Sequence, residues 1–171
     1  LAYDSRIKSD LFAREAAGVL AANGIPVYIY RALRPVPMLS FATRALGCAA
    51  GIMVTASHNP AKYNGYKVYG ADGGQLTEAA ADAVLECIAK LDIFDGAKTM
   101  SFEQGIEKGV IRYIEEKVEN AFYDAVLSCQ MSAGICAKAG LKLVYSPLNG
   151  AGNQPVRHVL AAIGAADVTV V

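Results

Sequence analysis

Thr55-Ala56-Ser57-His58-Asn59-Pro60 places a hydroxyl, an imidazole and an amide in one turn, and Asn64-Gly65-Tyr66-Lys67 adds an amine shortly after it. A serine hydroxyl held forward and activated is a nucleophile for group transfer. An imidazole exchanges protons near neutrality, an amide donates hydrogen bonds, and an amine in a cleft serves in general acid/base catalysis. Ser57, His58, Asn59 and Lys67 are therefore the candidate site residues. Serine hydrolysis is a poor fit. Adjacent side chains in an extended segment point apart, so Ser57 and His58 do not make a hydrolase dyad, and no GxSxG elbow occurs. The turn follows an apolar run, Gly51-Ile52-Met53-Val54, and loops beyond the carboxyl ends of strands are where α/β sheets place chemistry. Pro60 fixes its own φ and biases Asn59 toward extended backbone, so the turn is stiff.

Alternating elements surround that turn. Leu1 to Tyr3 reads as the tail of a strand, followed by the polar turn Asp4-Ser5-Arg6. Ser9 is suited to cap a helix that carries Phe12, Ala16, Val19 and Leu20 on one face and stops near Gly24. Val27 to Tyr30 reads as a strand. Pro37 opens a helix with the stripe Met38, Phe41, Ala45 and Leu46. Gly51 to Val54 and Tyr66 to Tyr69, either side of the serine turn, read as strands that can form a hairpin. Thr77 can cap a helix whose face is Val84, Leu85, Ile88 and Leu91. Residues 92–109 show no strong period and read as loop. Ile111, Ile114, Val118, Phe122, Ala125 and Cys129 recur at helical spacing and predict one long helix.

This pattern predicts a three-layer α/β/α sandwich with a mixed, mostly parallel sheet over residues 1–129, with the serine loop at 55–60. A linker is expected at 130–140. A partial second domain then opens at 141–171 with one βαβ unit: strand Leu141 to Tyr145, loop Ser146 to Gly152, helix Gln154 to Ile163 and strand Val168 to Val171.

The wording TASHNP followed by NGYK resembles the active-serine loop of the α-D-phosphohexomutases, the family of phosphoglucomutases and phosphomannomutases. The resemblance covers most of that family's first domain and the opening of its second. It implies that Ser57 carries a phosphate, donates it to form a sugar bisphosphate and then recovers one. It also implies that Lys67 acts as the general acid/base and that His58 either contacts phosphate or shapes the loop. Arg6 lies in an Asp-x-Arg turn like the family's, where it binds the phosphate group together with Asn59 or else forms a structural salt bridge. By the same resemblance, Mg²⁺ contacts the phosphate on Ser57, glucose 1,6-bisphosphate acts as activator, and the substrate is a phosphosugar. Glucose 1-phosphate is the leading substrate, with mannose or pentose phosphates as alternatives. A non-catalytic sugar-phosphate or partner-binding module is the reading of another class. The family's Asp-Gly-Asp-x-Asp metal motif is absent from these 171 residues. The chain is thus expected to be an N-terminally truncated fragment without turnover of its own, able to self-associate through apolar faces that further domains would cover.

The totals bound the rest. Sixteen basic residues balance sixteen acidic ones, which leaves no basic stripe for nucleic acid. No run approaches ~18 apolar residues and no leader pattern occurs, so a cytoplasmic protein without a membrane span is expected. Cys48, Cys87, Cys129 and Cys136 form no CxxC pair and are expected to be buried, reduced thiols.

Overall fold

In the computed structural model, which describes residues 1–92 and 94–171, the polypeptide divides into two units, Leu1–Ile114 and Glu115–Val171. The first carries β1 (Ala2–Tyr3), α1 (Ser9–Ala22), β2 (Val27–Ile29), α2 (Val36–Ala45), β3 (Ala50–Val54), β4 (Tyr66–Gly70), α3 (Glu78–Ile88), α4 (Phe102–Glu107) and β5 (Ile111–Tyr113). The second carries α5 (Glu116–Ser128), α6 (Ile135–Ala139), β6 (Lys142–Tyr145), α7 (Asn153–Ala162) and β7 (Asp167–Val170).

The sheet of the first unit is mixed. β1 runs parallel to β3, with Tyr3 opposite Val54, and β4 returns antiparallel, with Val54 opposite Tyr66 and Met53 opposite Lys67. β2 pairs in parallel with β5. Leu1 links the two sets, its nitrogen donating to the Tyr28 carbonyl at 2.6 Å and its carbonyl accepting from Tyr30 N–H at 3.2 Å. The spatial order is therefore β5, β2, β1, β3, β4. Side chains alternate between faces along a strand. Val54, with Ile52 alongside, packs in a cluster with Ala13, Ala17 and Ala21 of α1 and with Val27, Ile29 and Ile111. Gly51 faces the other way, toward Thr43 and Leu39 of α2. Helices thus cover both faces, giving the expected three layers. Met53, Ile29 and Ile111 are each about 1% exposed, and burying such a side chain contributes about 1.5–3 kcal/mol.

Several expectations need correction. The buried face of α1 is Ser9, Ala13, Ala17, Gly18 and Ala21, while Phe12 is exposed, because small residues let the helix lie close to the sheet. Its N-cap is Lys8, not Ser9. The buried stripe of α2 is Met38, Leu39, Ala42 and Thr43, so Phe41, Ala45 and Leu46 are not its core contacts. Thr77 occupies the N-cap of α3 without a side-chain bond, and Val84, Leu85 and Ile88 remain exposed. The stretch 92–109 is not all loop: Ser101 and Gln104 form a reciprocal capping box that starts α4. The predicted long helix is a strand and a helix. Ile111 pairs with Val27 in the sheet, and only from Glu116 does the chain turn helical. The cysteines are free, but Cys87 and Cys129 are exposed and Cys48 and Cys136 half-buried.

The second unit begins earlier than the boundary expected at 129. Helix α5 groups with residues 115–171, where Tyr123 is buried and stacks on His158 of α7 at 3.9 Å. The expected linker 130–140 contains the short helix α6. β6 and β7 run parallel, with Lys142 opposite Asp167 and Tyr145 opposite Val170, and α7 crosses between them. The βαβ unit foreseen from 141 onward is present. Among the described residues no helix is long and apolar enough to cross a membrane.

Candidate active site

The pairings Tyr3 to Val54 and Val54 to Tyr66 bring the end of β1, the end of β3 and the start of β4 to one sheet edge. The Asp4-Arg6 turn, the Thr55-Asn64 loop and Lys67 all leave from that edge. Asp4 N–H bonds the Val54 carbonyl at 3.3 Å and so continues the β1 pairing into the turn.

Asp4 is the hub beneath the loop. Its Oδ1 accepts from Arg6 N–H at 3.1 Å and from Ser9 Oγ at 2.9 Å. Its Oδ2 accepts from Arg6 Nε at 3.2 Å and from Thr55 Oγ1 at 2.6 Å. The two side chains of the ion pair are largely buried, Arg6 at 8% and Asp4 at 13% exposure. Burial in a low-dielectric environment makes such a network strong when every member is satisfied. Asn64 completes it, donating through Nδ2 to Ser9 Oγ at 2.8 Å and accepting from Gly65 N–H at 2.9 Å.

Both backbone groups of Ser57 are tied to this hub. Its N–H donates to Thr55 Oγ1 at 3.0 Å, and its carbonyl accepts from Arg6 Nη2. Arg6 Nη1 also donates to the carbonyls of Pro60, at 2.9 Å, and Tyr63, at 3.2 Å. Ser57 has φ +58°, in the left-handed region. For a residue with a side chain that conformation costs roughly 1–2 kcal/mol, and such strain persists where the surroundings enforce it. Gly65 closes the other side of the loop. Its carbonyl accepts from Thr55 N–H at 3.0 Å, and a Cβ there would lie 2.6 Å from the Thr55 carbonyl oxygen.

Ser57, His58 and Asn59 are exposed, so the strained residue presents its hydroxyl to solvent. Ser57 Oγ lies 3.4 Å from His58 Nδ1, longer than a good O–H···N bond. Asn59 N–H donates to the Ala56 carbonyl at 3.1 Å and closes the turn. Lys67 is half-buried on β4, and among the described residues its ammonium has no hydrogen bond or ion pair. The four residues predicted at 57, 58, 59 and 67 thus lie at one edge. Arg6 joins them from below, with its donors directed to loop carbonyls and Asp4.

The family model for phosphoglucomutase/phosphomannomutase, alpha/beta/alpha domain I, matches residues 1–93. The chain belongs to the phosphoglucomutase/phosphomannomutase family. It is 35% identical over 161 residues to a phosphoglucomutase of Staphylococcus saprophyticus, covering 94% of this chain and 29% of that protein. A Staphylococcus aureus phosphoglucomutase (strain bovine RF122) is 37% identical over 161 residues, covering 94% of this chain and 28% of that one. A crystal structure from Thermus thermophilus, provisionally described as a phosphomannomutase, superposes with TM-score 0.81 at 28% identity, over 99% of this chain and 36% of that chain. The chain therefore spans less than a third of the length of these phosphoglucomutases.

The Mg²⁺ expected of a phosphohexomutase finds no complete donor set here. Among the described residues no three His, Cys, Asp or Glu side chains cluster as metal ligands. The nearest carboxylate in the network, Asp4, has both oxygens committed to four donors. These residues alone do not fit the ion. Sequence reading missed the linkage of Asp4, Ser9, Thr55 and Asn64. Its signal was a polar residue at every join between the Asp-x-Arg turn and the two halves of the serine motif.

Proposed function

We propose that Ser57 carries a phosphoryl group and transfers it to a hydroxyl of a phosphosugar, taking one back to complete an isomerisation. The observation that carries this reading is the exposed, left-handed Ser57, whose N–H and carbonyl are both bound from beneath. That arrangement spends no ligand-facing group on its own support, and it holds the nucleophile in place before substrate arrives, which is where positioning lowers a barrier. In the transfer, the bond from phosphorus to Ser57 Oγ breaks as the bond to the sugar oxygen forms. The proton leaving the sugar hydroxyl goes to a base, and Lys67, with an uncommitted amine at the same edge, is assigned that role. His58 and Asn59 supply donors toward phosphate oxygens.

The reading favours glucose 1-phosphate and glucose 6-phosphate as the interconverted pair, following the phosphoglucomutase relatives; mannose and pentose phosphates are the alternatives. The phosphate on Ser57 would be this chain's one contribution to a Mg²⁺ site, which would need further ligands, and glucose 1,6-bisphosphate would prime the serine. A cytoplasmic location and negligible turnover by the 171-residue chain alone belong to the same proposal. The test is ³¹P NMR of the full-length protein with Mg²⁺ and each sugar 1-phosphate in turn. Conversion fastest with glucose 1-phosphate supports the reading. No conversion of any of the three leaves the binding module as the better account.

A further inference from the structure

We infer that the Asp4–Arg6 pair and Thr55 form a positioning device that sets the left-handed conformation of Ser57, so that Arg6 acts on the reaction through the loop backbone and not by touching phosphate. The functional half of this inference rests on the phosphoserine reading; the conformational half does not.

Donor accounting carries it. Arg6 has five N–H donors in a planar fork. Nε is taken by Asp4, both Nη1 donors by the carbonyls of Pro60 and Tyr63, and one Nη2 donor by the Ser57 carbonyl, so four of the five are committed to supporting the loop. The guanidinium is largely buried beneath the loop whose outer surface displays Ser57, His58 and Asn59. From the opposite side of the same residue, Thr55 passes the Asp4 carboxylate's pull to the Ser57 amide, its hydroxyl donating to Oδ2 and accepting from Ser57 N–H. One ion pair thus fixes the groups on either side of the Ser57 φ/ψ rotations. A point-like ammonium can replace the charge of Arg6 but cannot span Asp4 and three carbonyls at once.

Two sets of variants separate this device from a direct phosphate contact and from plain loss of fold. Thr55→Val keeps size and removes the relay, and Thr55→Ser restores the hydroxyl; Arg6→Lys keeps charge and removes the fork. In the 171-residue chain, NMR of Ser57 reads the conformation, because positive φ gives a strong intraresidue amide-to-Hα NOE. That NOE is expected in the unmodified chain and in Thr55→Ser. It is expected to be lost in Thr55→Val and Arg6→Lys, with faster Ser57 amide exchange, while the core amides of β3 remain protected. Retention of the Ser57 NOE in both Thr55→Val and Arg6→Lys, with β3 still protected, overturns the inference. In the full-length protein, phosphate uptake on Ser57 from glucose 1,6-bisphosphate is expected to slow about a hundredfold at saturation in Thr55→Val and Arg6→Lys, with half-saturation little changed. If Arg6→Lys instead keeps the saturated rate and weakens only half-saturation, Arg6 contacts phosphate and the inference falls. Should the unmodified protein take up no phosphate, the phosphoserine reading fails and the NOE alone decides the conformational claim.

Discussion

Asp4 Oδ2 and Thr55 Oγ1 lie 2.6 Å apart, joining the end of the first strand to the first residue of the serine loop across 51 positions of sequence. Because the same carboxylate holds Arg6, and Arg6 holds the far side of the loop, the geometry of Ser57 depends on an ion pair buried beneath the surface that the loop displays.

Removing the hub should unfold more than the loop. Asp4→Ala leaves the Arg6 guanidinium, 8% exposed, without its carboxylate, and breaking one partner of a buried pair costs about 3–5 kcal/mol. Urea denaturation should show that loss, and the double variant Asp4→Ala/Arg6→Leu should recover part of it, since pairs in contact are not additive. Fully additive losses would mean that the two side chains do not work as a unit.

Ser57→Gly should separate stability from function. Glycine adopts φ +58° without a Cβ penalty, a relief of roughly 1–2 kcal/mol that its extra freedom when unfolded offsets by about 0.4–1 kcal/mol. The variant is expected to be as stable as the parent or up to about 1.6 kcal/mol more so, and to accept no phosphate. A clear fall in the denaturation midpoint would show that Ser57 is not strained in solution.

Gly65→Ala tests the other wall of the loop. A Cβ there would sit 2.6 Å from the Thr55 carbonyl oxygen, a backbone atom that cannot swing aside. Overpacking of this kind costs about 1–3 kcal/mol. Thermal unfolding should register the cost, and phosphate uptake on Ser57 should fall with it. An alanine variant as stable as the parent would mean that Gly65 and Thr55 sit farther apart in solution.

Lys67→Met keeps the length of the side chain and removes its base. Loss of a general acid/base group lowers turnover by about 10²–10⁴-fold, whereas a half-buried lysine on β4 with no ion pair among the described residues contributes little to folding. Full-length Lys67→Met should therefore lose kcat for glucose 1-phosphate with its denaturation midpoint nearly unchanged. A reduction below about tenfold would remove Lys67 from the proton transfer.

How far the sequence could be read depended on whether the signal was local. The hairpin around the serine loop and the βαβ unit from Leu141 were legible because turn residues bracket short apolar runs. The helix α4 was hidden in a stretch without a strong period, and only the Ser101/Gln104 box announces it. Ile111, Ile114 and Val118 fit helical spacing by coincidence. Ile111 belongs to the sheet through its pairing with Val27, a contact that no periodicity reports. On α1 the bulky Phe12 suggested the buried face, yet alanines fill it because the helix lies close to the sheet. At the site, the motif itself put Ser57 and Lys67 forward as candidates, and the two lie at one end of the sheet. The role of Arg6 was open because its partners are carbonyls of Ser57, Pro60 and Tyr63, which any residue types would supply.

The measurement that bears most directly on the central claim is peptide mapping by mass spectrometry of the full-length protein, as purified and after treatment with glucose 1,6-bisphosphate and Mg²⁺. One phosphate on the peptide containing Ser57, lost again on addition of excess sugar monophosphate and absent in Ser57→Ala, is the predicted result. A full-length protein that never carries phosphate at Ser57, or that interconverts sugar phosphates equally well as Ser57→Ala, would contradict the account.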